Sequence, residues 1–319
     1  MKKTVRTLLS MVCLLMAACA ALTSCAMLSR GGDAEGGIML ECNRHEVSES
    51  FDGIRIDTDT ADIRLMPAED GVCRVECLEY PKARHEVGVA GGELVVQIDD
   101  RRTLLDQAVV SFESPHIYVY LPGDDYRSLV IDDHTGRITI DDPFEFDTLS
   151  ISSTTGSVKL SGVRADRLDV SATTGGIELS RTEVGTAELS VSTGRVTVSD
   201  MDCRGELCVT ATTGGVEIED VSCGSFESNG TTGGISLRRV MAEGTMRITR
   251  RTGGVTFDGA DAAAIDVETT TGSVRGSLLS GKTFTAETTT GEVDLPENTS
   301  AATCRIKTTT GGIKITVEG

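Results

Sequence analysis

The chain has 319 residues, of which 49 are acidic and 30 basic, giving a net charge of −19. A chain this acidic repels nucleic acid and anionic lipid surfaces, and no basic patch in the sequence offsets the charge, so both are excluded as partners that bind through charge. Aromatic residues make up 3% of the chain and tryptophan is absent. The interior must therefore be thin and filled mainly by small aliphatic side chains.

The first 25 residues have the features of a bacterial export signal. Basic residues at positions 2, 3 and 6 precede an uncharged run over residues 8–21. This run is shorter than the roughly 20 residues that a membrane-spanning helix needs. Residues 1–25 are therefore predicted to be a signal peptide.

The end of this segment predicts a lipid anchor. Residues 22–25 read Leu-Thr-Ser-Cys, which resembles the lipobox of bacterial lipoproteins, so Cys25 is predicted to be lipidated and to become the new N-terminus. The alternative is ordinary cleavage after Ala20, which would release an unanchored protein. The glycine-rich segment that follows predicts a flexible tether over residues 26–49. We therefore expect an exported protein held at the cell envelope by a lipid anchor in the membrane.

A Thr-Gly dipeptide recurs ten times at spacings of 19 or 20 residues. A period of this size is typical of a solenoid, in which each repeat forms one coil and stacks on the previous one. The pairs are Thr135-Gly136, Thr155-Gly156, Thr174-Gly175, Thr193-Gly194, Thr213-Gly214, Thr232-Gly233, Thr252-Gly253, Thr271-Gly272, Thr290-Gly291 and Thr310-Gly311.

Apolar and polar residues alternate on both sides of each pair. Leu168, Val170 and Ala172 alternate with polar residues before Gly175, and the alternation resumes at Ile177. A period of two indicates β-strands with one apolar face. The sequence thus predicts an all-β, right-handed β-solenoid with about ten regular coils over residues 129–319.

The Thr-Gly pair is predicted to form a corner of each coil. Glycine tolerates a positive φ, and a side chain at this point would collide with the neighbouring coil. Thr174 has the same parity as the core positions before it. The ten threonines are therefore predicted to point inward and to stack as a buried ladder.

The region before the regular repeats predicts a first coil and a cap. Residues 54–65 fit the repeat with Thr60-Ala61 at the corner position, which indicates a divergent first coil. Residues 67–126 contain strand-like runs without the 19-residue period, and they are predicted to shield the end of the stack. We assign residues 50–128 to this first coil and cap.

The other end of the solenoid is predicted to be open. The last strand-like run contains Ile313, Ile315 and Val317, so we expect it to be an edge strand. Lys314 would discourage the addition of another strand. The alternative is that this C-terminal edge mediates self-association or docks a partner.

These segments together resemble a known family. The runs 51–56 (Phe-Asp-Gly-Ile-Arg-Ile) and 117–122 (Ile-Tyr-Val-Tyr-Leu-Pro), followed by repeated Thr-Thr-Gly-Gly-Ile/Val, are similar to the bacterial putative-adhesin family called domain of unknown function 4097. The resemblance covers residues 50–319. It implies a β-solenoid attached to the cell envelope and supplies no catalytic residues. Many relatives have a membrane helix where this chain has a lipobox, and some accompany envelope-stress systems.

Two cysteines occupy matching positions in adjacent repeats. Cys203 and Cys223 each lie nine residues after a corner glycine, which would stack them about 4.8 Å apart. This distance suits a disulfide, but small buried side chains are the favoured interpretation, because alanine and valine fill the equivalent positions. Cys73 and Cys77 share one face of a strand without a nearby histidine, so no metal site is predicted.

Paired aspartates flank the first regular corner. Asp132-Asp133 and Asp141-Asp142 could together hold calcium, but the nonapeptide repeat that binds calcium in some β-helices is absent, which favours solvated acids. No catalytic motif is present in the chain.

The sequence therefore favours a non-catalytic surface module without a cofactor, presenting a long β face to an unidentified protein or glycan. One alternative is a regulatory module associated with envelope stress. Another is a polysaccharide-active β-helix enzyme, which would need clustered acids and aromatic platforms. Ice binding is suggested by threonine ladders but disfavoured if the threonines point inward.

Overall fold

The computed structural model describes residues 39–103, 114–297 and 300–318. The predicted signal peptide, Cys25 and the first part of the predicted tether lie outside these residues. In the described parts of the chain, 77% of residues are in strands and no helix is present. It follows that no helix long and apolar enough to span a membrane is found there.

The strands are β1 Glu41–Val47, β2 Gly53–Thr60, β3 Asp62–Pro67, β4 Cys73–Glu79, β5 Ala83–Ala90, β6 Glu93–Asp100, β7 His116–Leu121, β8 Asp125–Thr135, β9 Ile138–Ile140, β10 Glu145–Thr155, β11 Val158–Ser161, β12 Arg164–Thr174, β13 Ile177–Thr193, β14 Val196–Thr213, β15 Val216–Thr232, β16 Ile235–Thr252, β17 Val255–Thr271, β18 Val274–Leu278, β19 Thr283–Thr290, β20 Val293–Asp294, β21 Thr303–Thr310 and β22 Ile313–Val317.

The predicted β-solenoid is confirmed, with about nine turns. Equivalent residues of successive coils pair in parallel, as Leu149 does with Leu168 and Thr155 with Thr174. The inward residues of all coils form one continuous apolar core. Stacking supplies the burial that a single coil could not achieve alone.

Each regular coil has three straight runs and three corners. The first corner follows the Thr-Gly pair. The second lies six residues later, where Arg181, Asp200, Asp220 and Arg239 have φ between 50° and 53°. Repeats of 19 and 20 residues differ in length at the third corner. Two residues lie between Val184 and Ala187, whereas three lie between their partners in the next coil, Cys203 and Leu207.

The divergent first coil is confirmed. Thr60 pairs with Thr135 and Ile63 pairs with Ile138, in the register of the regular coils. The capping strands are antiparallel where the solenoid is parallel: β4 pairs with β1 and β7, and β5 pairs with β6. Because β1 lies within the range predicted as tether, 26–49, that prediction is wrong from Glu41 onward.

The last two coils are stacked in the reverse of their chain order. β17 pairs with β21 rather than with β19, and β19 pairs with β21 from the other side. The C-terminal coil is therefore inserted between the two coils that precede it in the sequence. The prediction that the last strand forms the open edge is wrong, since β19 is the outermost strand of this face.

A buried ion pair lies where the chain crosses to the outermost level. Lys282 is 1% exposed, and its ammonium group donates hydrogen bonds to Asp261 Oδ1 and, at 2.7 Å, to Ser280 Oγ. Asp261 Oδ1 also accepts a bond from the backbone N–H of Ala262. These bonds satisfy two charges that would be costly to bury unpaired.

Candidate functional site

The ten threonines before the corner glycines are all exposed, so the predicted buried ladder is wrong. In one representative coil, Val170 and Ala172 face inward as predicted, but Thr173 and Thr174 both face solvent. Alternation ends there because the chain starts to turn before it reaches the glycine. The exposed threonine row follows the axis in the order Thr135, Thr155, Thr174, Thr193, Thr213, Thr232, Thr252, Thr271, Thr310 and Thr290. The half-buried Thr60 pairs with Thr135 at the start of the row.

The hydroxyls that do face inward lie two residues earlier in the last coils. Thr269 donates to the carbonyl of Gly253 at 3.1 Å, and Thr308 donates to that of Gly272 at 3.0 Å. Thr288 makes the same bond to Gly311 in the outermost coil. These hydroxyls donate hydrogen bonds to the carbonyl groups of the corners. The sequence analysis predicts an inward orientation for the threonines directly before the glycines instead.

The predicted crowding at the corner glycine is confirmed. Gly175 has a φ of +143°, and a Cβ added there would lie 1.6 Å from the carbonyl oxygen of Gly156. The corner is held by a hydrogen bond from the N–H of Gly175 to the carbonyl of Thr193 in the next coil, at 2.9 Å. Glycine is therefore required by both backbone conformation and space.

A shallow groove runs along the axis beside the threonine row. Glycines follow the corner glycine in three of its coils, at Gly215, Gly234 and Gly254, and leave backbone open to solvent. The groove has a volume of about 530 Å³. We call it the glycine groove; its lining residues are Gly215, Val216, Glu217, Gly234, Ile235, Ser236, Gly254, Thr256, Ser273 and Arg275.

The glycine groove is polar and close to neutral. Its one carboxylate, Glu217, pairs with Arg195, and Arg275 supplies a further positive charge. Hydroxyls of Ser236, Thr256 and Ser273 line it as well. Because a hydroxyl both donates and accepts hydrogen bonds, this surface suits a ligand that presents many uncharged polar groups.

A second cleft collects acidic side chains. It has a volume of about 280 Å³ and is lined by Glu145, Phe146, Asp147, Arg164, Ala165, Asp166, Glu183, Val184, Asp202 and Arg204. Glu183 pairs with Arg164 and Asp166 with Arg204, yet the two carboxylates remain 65% and 74% exposed. Both carboxylates are therefore solvated, whereas the general acid of a glycosidase lies in an apolar pocket.

The two stacked cysteines are small core side chains. Cys203 pairs in register with Cys223, as the sequence predicts. Both are buried, and the structure has both as free thiols. Burial raises the pKa of the Cys223 thiol to about 12 and also raises that of Cys203, so neither is poised to react as a thiolate.

The cap contains a buried polar cluster that the sequence analysis missed. Cys77, Glu79 and His85 are all buried, and their potential ligand atoms lie within 4.8 Å of one another. His85 Nδ1 lies 2.7 Å from Glu79 Oε2, and its Nε2 lies 2.9 Å from Thr58 Oγ1. The signal was available: Pro81 marks a turn that folds His85 back onto the strand of Cys77 and Glu79.

Asp133 is buried inside the solenoid, so the interpretation as a solvated acid is wrong for Asp133, whereas its neighbour Asp132 is exposed. Asp133 is 0% exposed, and neither carboxylate oxygen has a hydrogen-bond partner. Its neighbour in the next coil, Ser153, is also buried with an unpaired hydroxyl. Burial raises the pKa of Asp133 to about 7, because the charged form loses its hydration.

The family described as Toastrack DUF4097 matches residues 51–220 and 196–319 of the chain. These ranges include the first coil, the whole solenoid and the cap apart from β1. The chain belongs to this family. No curated protein matches the sequence of this Toastrack protein.

Several solved structures are similar to this Toastrack protein. A "putative adhesin" from Parabacteroides distasonis is 13% identical, with a TM-score of 0.52 over 86% of this chain and 96% of that one. A "putative adhesin" from Bacteroides fragilis is 14% identical, with a TM-score of 0.42 over 87% and 97%. A "putative lipid binding protein" from P. distasonis is also 14% identical, with a TM-score of 0.49 over 87% and 97%. The first likeness is evidence for the fold alone.

Proposed function

We propose that this Toastrack protein is a non-catalytic surface module that holds an extended, uncharged polysaccharide in its glycine groove. The observation that carries the proposal is the exposed threonine row, which borders the groove along the solenoid axis. Row and groove repeat together from coil to coil, at the strand spacing of about 4.8 Å. A polymer of hydroxylated units is the ligand class that can repeat its contacts along such a surface.

Charge supports an uncharged ligand. The chain carries a net charge of −19, which repels polyanions such as acidic glycans and nucleic acids. The groove itself has balanced charge, so it offers a polycation no advantage over other parts of the surface. Hydrogen bonding by hydroxyls and open glycine backbone is the contact that remains.

We place this module at the cell envelope, held through a lipid on Cys25. The capped end of the solenoid is the end nearer the N-terminus, and the groove spans coils near the other end. An anchor at Cys25 would thus leave the groove facing away from the membrane. The adhesin names of proteins with a similar fold are consistent with this arrangement.

Blocking the groove tests the proposal. Gly215 has no positive φ, and a Cβ there would meet its nearest atom at 3.9 Å, so Gly215→Arg should fill the groove without strain. Gly88→Arg is the matched control, because nothing lies within 4 Å of a Cβ there. Retention on immobilised mannan and dextran should fall at least tenfold for Gly215→Arg alone. Equal retention of both variants, or tighter binding to heparin, would contradict the proposal.

Removing hydroxyls tests the threonine row separately. Valine has nearly the shape of threonine without the hydroxyl, so Thr213→Val with Thr232→Val should preserve the strands. Thr186→Val with Thr245→Val is the control, since both threonines are exposed at the third corner. We expect weaker retention on mannan and dextran only for the first pair.

The enzyme alternative has less support. The acidic cleft contains the clustered carboxylates that a glycosidase needs, but they are solvated and paired with arginines. A hydrolysis assay on the same polysaccharides would detect reducing ends if this alternative were right.

Ice binding is a second candidate, favoured by one observation. The threonines face solvent, so their orientation no longer argues against it. The residues just before them are also exposed, but this second row is broken by His134, Ser192 and Arg251. Thermal hysteresis of the purified protein measures the activity directly, and hysteresis lost in the Thr213→Val and Thr232→Val variant would support it.

A further inference from the structure

The polar cluster in the cap has the composition of a metal site. It joins a thiol, a carboxylate and an imidazole from two strands: Cys77 and Glu79 on β4, and His85 on β5. The side chains of Glu79 and His85 are each 2% exposed. Sulfur, nitrogen and oxygen ligands in one small space are the set that Zn²⁺ accepts.

The cluster is already organised by hydrogen bonds from neighbouring strands. Asn43 Nδ2 donates to Glu79 Oε1 at 2.6 Å, and the N–H of His85 donates to Glu79 Oε2 at 2.7 Å. Thr58 holds the far nitrogen of the His85 ring. Such contacts around potential ligands fix their orientation and the ring tautomer, as the outer contacts of metal sites do.

One buried polar atom near the cluster has no partner. His45 Nε2 is inaccessible to solvent and makes no hydrogen bond. His45 lies on β1, whose antiparallel register places Asn43 opposite Cys77 and His45 opposite Val75. Because side chains alternate along a strand, Asn43 and His45 lie on the same face of β1. This face is directed at the cluster, since Asn43 donates its hydrogen bond to Glu79 from it. A buried nitrogen without a partner calls for an explanation, and a ligand bound among these side chains supplies one.

We propose that His45, Cys77, Glu79 and His85 form a binding site for a zinc-like divalent cation. Four protein ligands and no open position define a closed, structural site rather than a catalytic one. The ion would join β1, β4 and β5, the strands that cover the N-terminal end of the solenoid. The bound cation would also neutralise the buried carboxylate of Glu79, which accepts hydrogen bonds from two uncharged donors, the side chain of Asn43 and the backbone N–H of His85.

Binding separates the side chains of Glu79 and His85, draws the ring of His45 toward the three grouped ligands and releases a proton. His85 Nδ1 and Glu79 Oε2 share a proton at 2.7 Å, and an ion between them requires a separation larger by roughly half an ångström. The thiol proton of Cys77 leaves to solvent, because a thiolate is the form that binds metal. A neutral His85 ring binds the ion through Nδ1, so its one proton moves to Nε2, where it donates to Thr58 Oγ1.

Cobalt substitution tests the site in the purified protein. Co²⁺ added after removal of metal by chelation should bind one ion per chain and produce a near-ultraviolet thiolate-to-cobalt absorption band. Cys77→Ser should abolish this band while Cys208→Ser retains it, because Cys208 is a partly exposed thiol outside the cluster. Absence of the band, or its survival in Cys77→Ser, would overturn the proposal.

A second measurement guards against misfolded variants. His45 lies in the outer strand β1 and is only partly buried, so His45→Gln should fold, as circular dichroism would verify. We expect at least tenfold weaker Zn²⁺ affinity in competition with a chelating dye, and a melting temperature that Zn²⁺ raises in the parent but raises less in the variant. An unchanged affinity in folded His45→Gln would remove His45 from the site and overturn the four-ligand assignment.

Discussion

The two neighbouring glycines at one corner, Gly175 and Gly176, differ in whether a side chain can be added to them. Gly175 has φ +143° and no room for a Cβ, whereas Gly176 has no positive φ and its nearest atom to a Cβ is at 3.5 Å. Gly175→Ala should destabilise the protein by about 3–5 kcal/mol, since the two coils must separate to admit the methyl group. Gly176→Ala should leave stability unchanged or slightly raised. Urea midpoints followed by circular dichroism would compare the two, and equal midpoints would contradict the argument.

Asp133 should make stability depend on pH near neutrality. Its pKa is about 7 in the folded protein, against an ordinary value of 3.8 for an aspartate side chain, so the folded state keeps a proton that the unfolded state releases. The contribution of this proton to the free energy of unfolding is fully present below about pH 4. It declines by about 1.4 kcal/mol per pH unit as the pH rises and levels off above about pH 7. The side chain in Asp133→Asn cannot ionise. The free energy of unfolding of this variant, relative to the parent, should therefore rise between pH 4 and pH 7 and then stay constant.

The matched control for this pH effect is Asp132→Asn, which changes the exposed neighbour. Its unfolding free energy should follow that of the parent across the same range. Parallel curves for the parent and Asp133→Asn would mean that Asp133 is ionised and compensated in the folded state.

At single residues, sequence reasoning succeeded where alternation holds and failed where the chain bends. Ile177 and its equivalents are buried as predicted, because each lies in a straight strand between two coils; the exception is Val293 in the outermost coil, which is 47% exposed. Thr174 was assigned inward by extending that parity through the corner, where parity no longer applies. Arg250 occupies an interior position that no hydrophobic pattern predicts: Gly230 in the adjacent coil makes room for it, since a Cβ there would lie 2.3 Å from Arg250 Nη1.

At the scale of the elements, the second corner stores strain that substitution can relieve. Asp200 has φ 51°, a conformation that costs a side-chain-bearing residue about 1 kcal/mol and that glycine adopts freely. Glycines already occupy equivalent corners at Gly162 and Gly259. Asp200→Gly should therefore raise the unfolding free energy by about 0.5–1 kcal/mol, whereas Ser199→Gly, in the preceding strand, should lower it. Denaturant melts would show opposite shifts of the midpoint.

The crossing of the last coils should depend on its buried ion pair. Lys282→Met leaves Asp261 charged and largely buried, which should cost about 3–5 kcal/mol. Adding Asp261→Asn removes the orphaned charge and keeps the acceptor for the N–H of Ala262, so the double variant should recover most of the loss. Thermal denaturation of parent, single and double variants measures this. A double variant no more stable than Lys282→Met would argue that the lysine acts through packing alone.

At the scale of the whole molecule, the repeat predicts the solenoid but not the order of its final coils. The corner residues Thr290-Gly291 and Thr310-Gly311 are interchangeable in sequence, so the pattern carries no information about which stacks on Thr271. The stacking order of the last two coils depends on contacts between residues far apart in the sequence, such as Lys282 with Asp261, and on the pairing of β21 with β17. The cluster of Cys77, Glu79 and His85 was missed for a related reason, since no motif marks these three residues and they meet through the pairing and turning of strands in the cap.

The exposed edge of the solenoid has the properties of a surface that pairs with a second copy of the chain. Among the described residues, β19 pairs on one side only, with β21. Its sequence, Thr-Phe-Thr-Ala-Glu-Thr-Thr-Thr, contains none of the lysines or prolines that protect edge strands. Apolar side chains are exposed beside it, with Leu279 42% and Val293 47% accessible. Antiparallel pairing of two β19 strands about their midpoint places Glu287 opposite Ala286 of the other copy, so no like charges face each other directly.

We therefore expect the purified protein to form a tail-to-tail dimer at high concentration, leaving both groove-bearing solenoids free along their sides. Thr285→Lys with Thr289→Lys should abolish the dimer, because the exposed charges would approach one another across the new strand pair. Thr186→Lys with Thr245→Lys adds the same charge far from the edge and should leave the dimer intact. Sedimentation equilibrium over a hundredfold range of concentration distinguishes these outcomes. A monomeric mass for the parent throughout that range would show that this edge is protected by means other than its sequence.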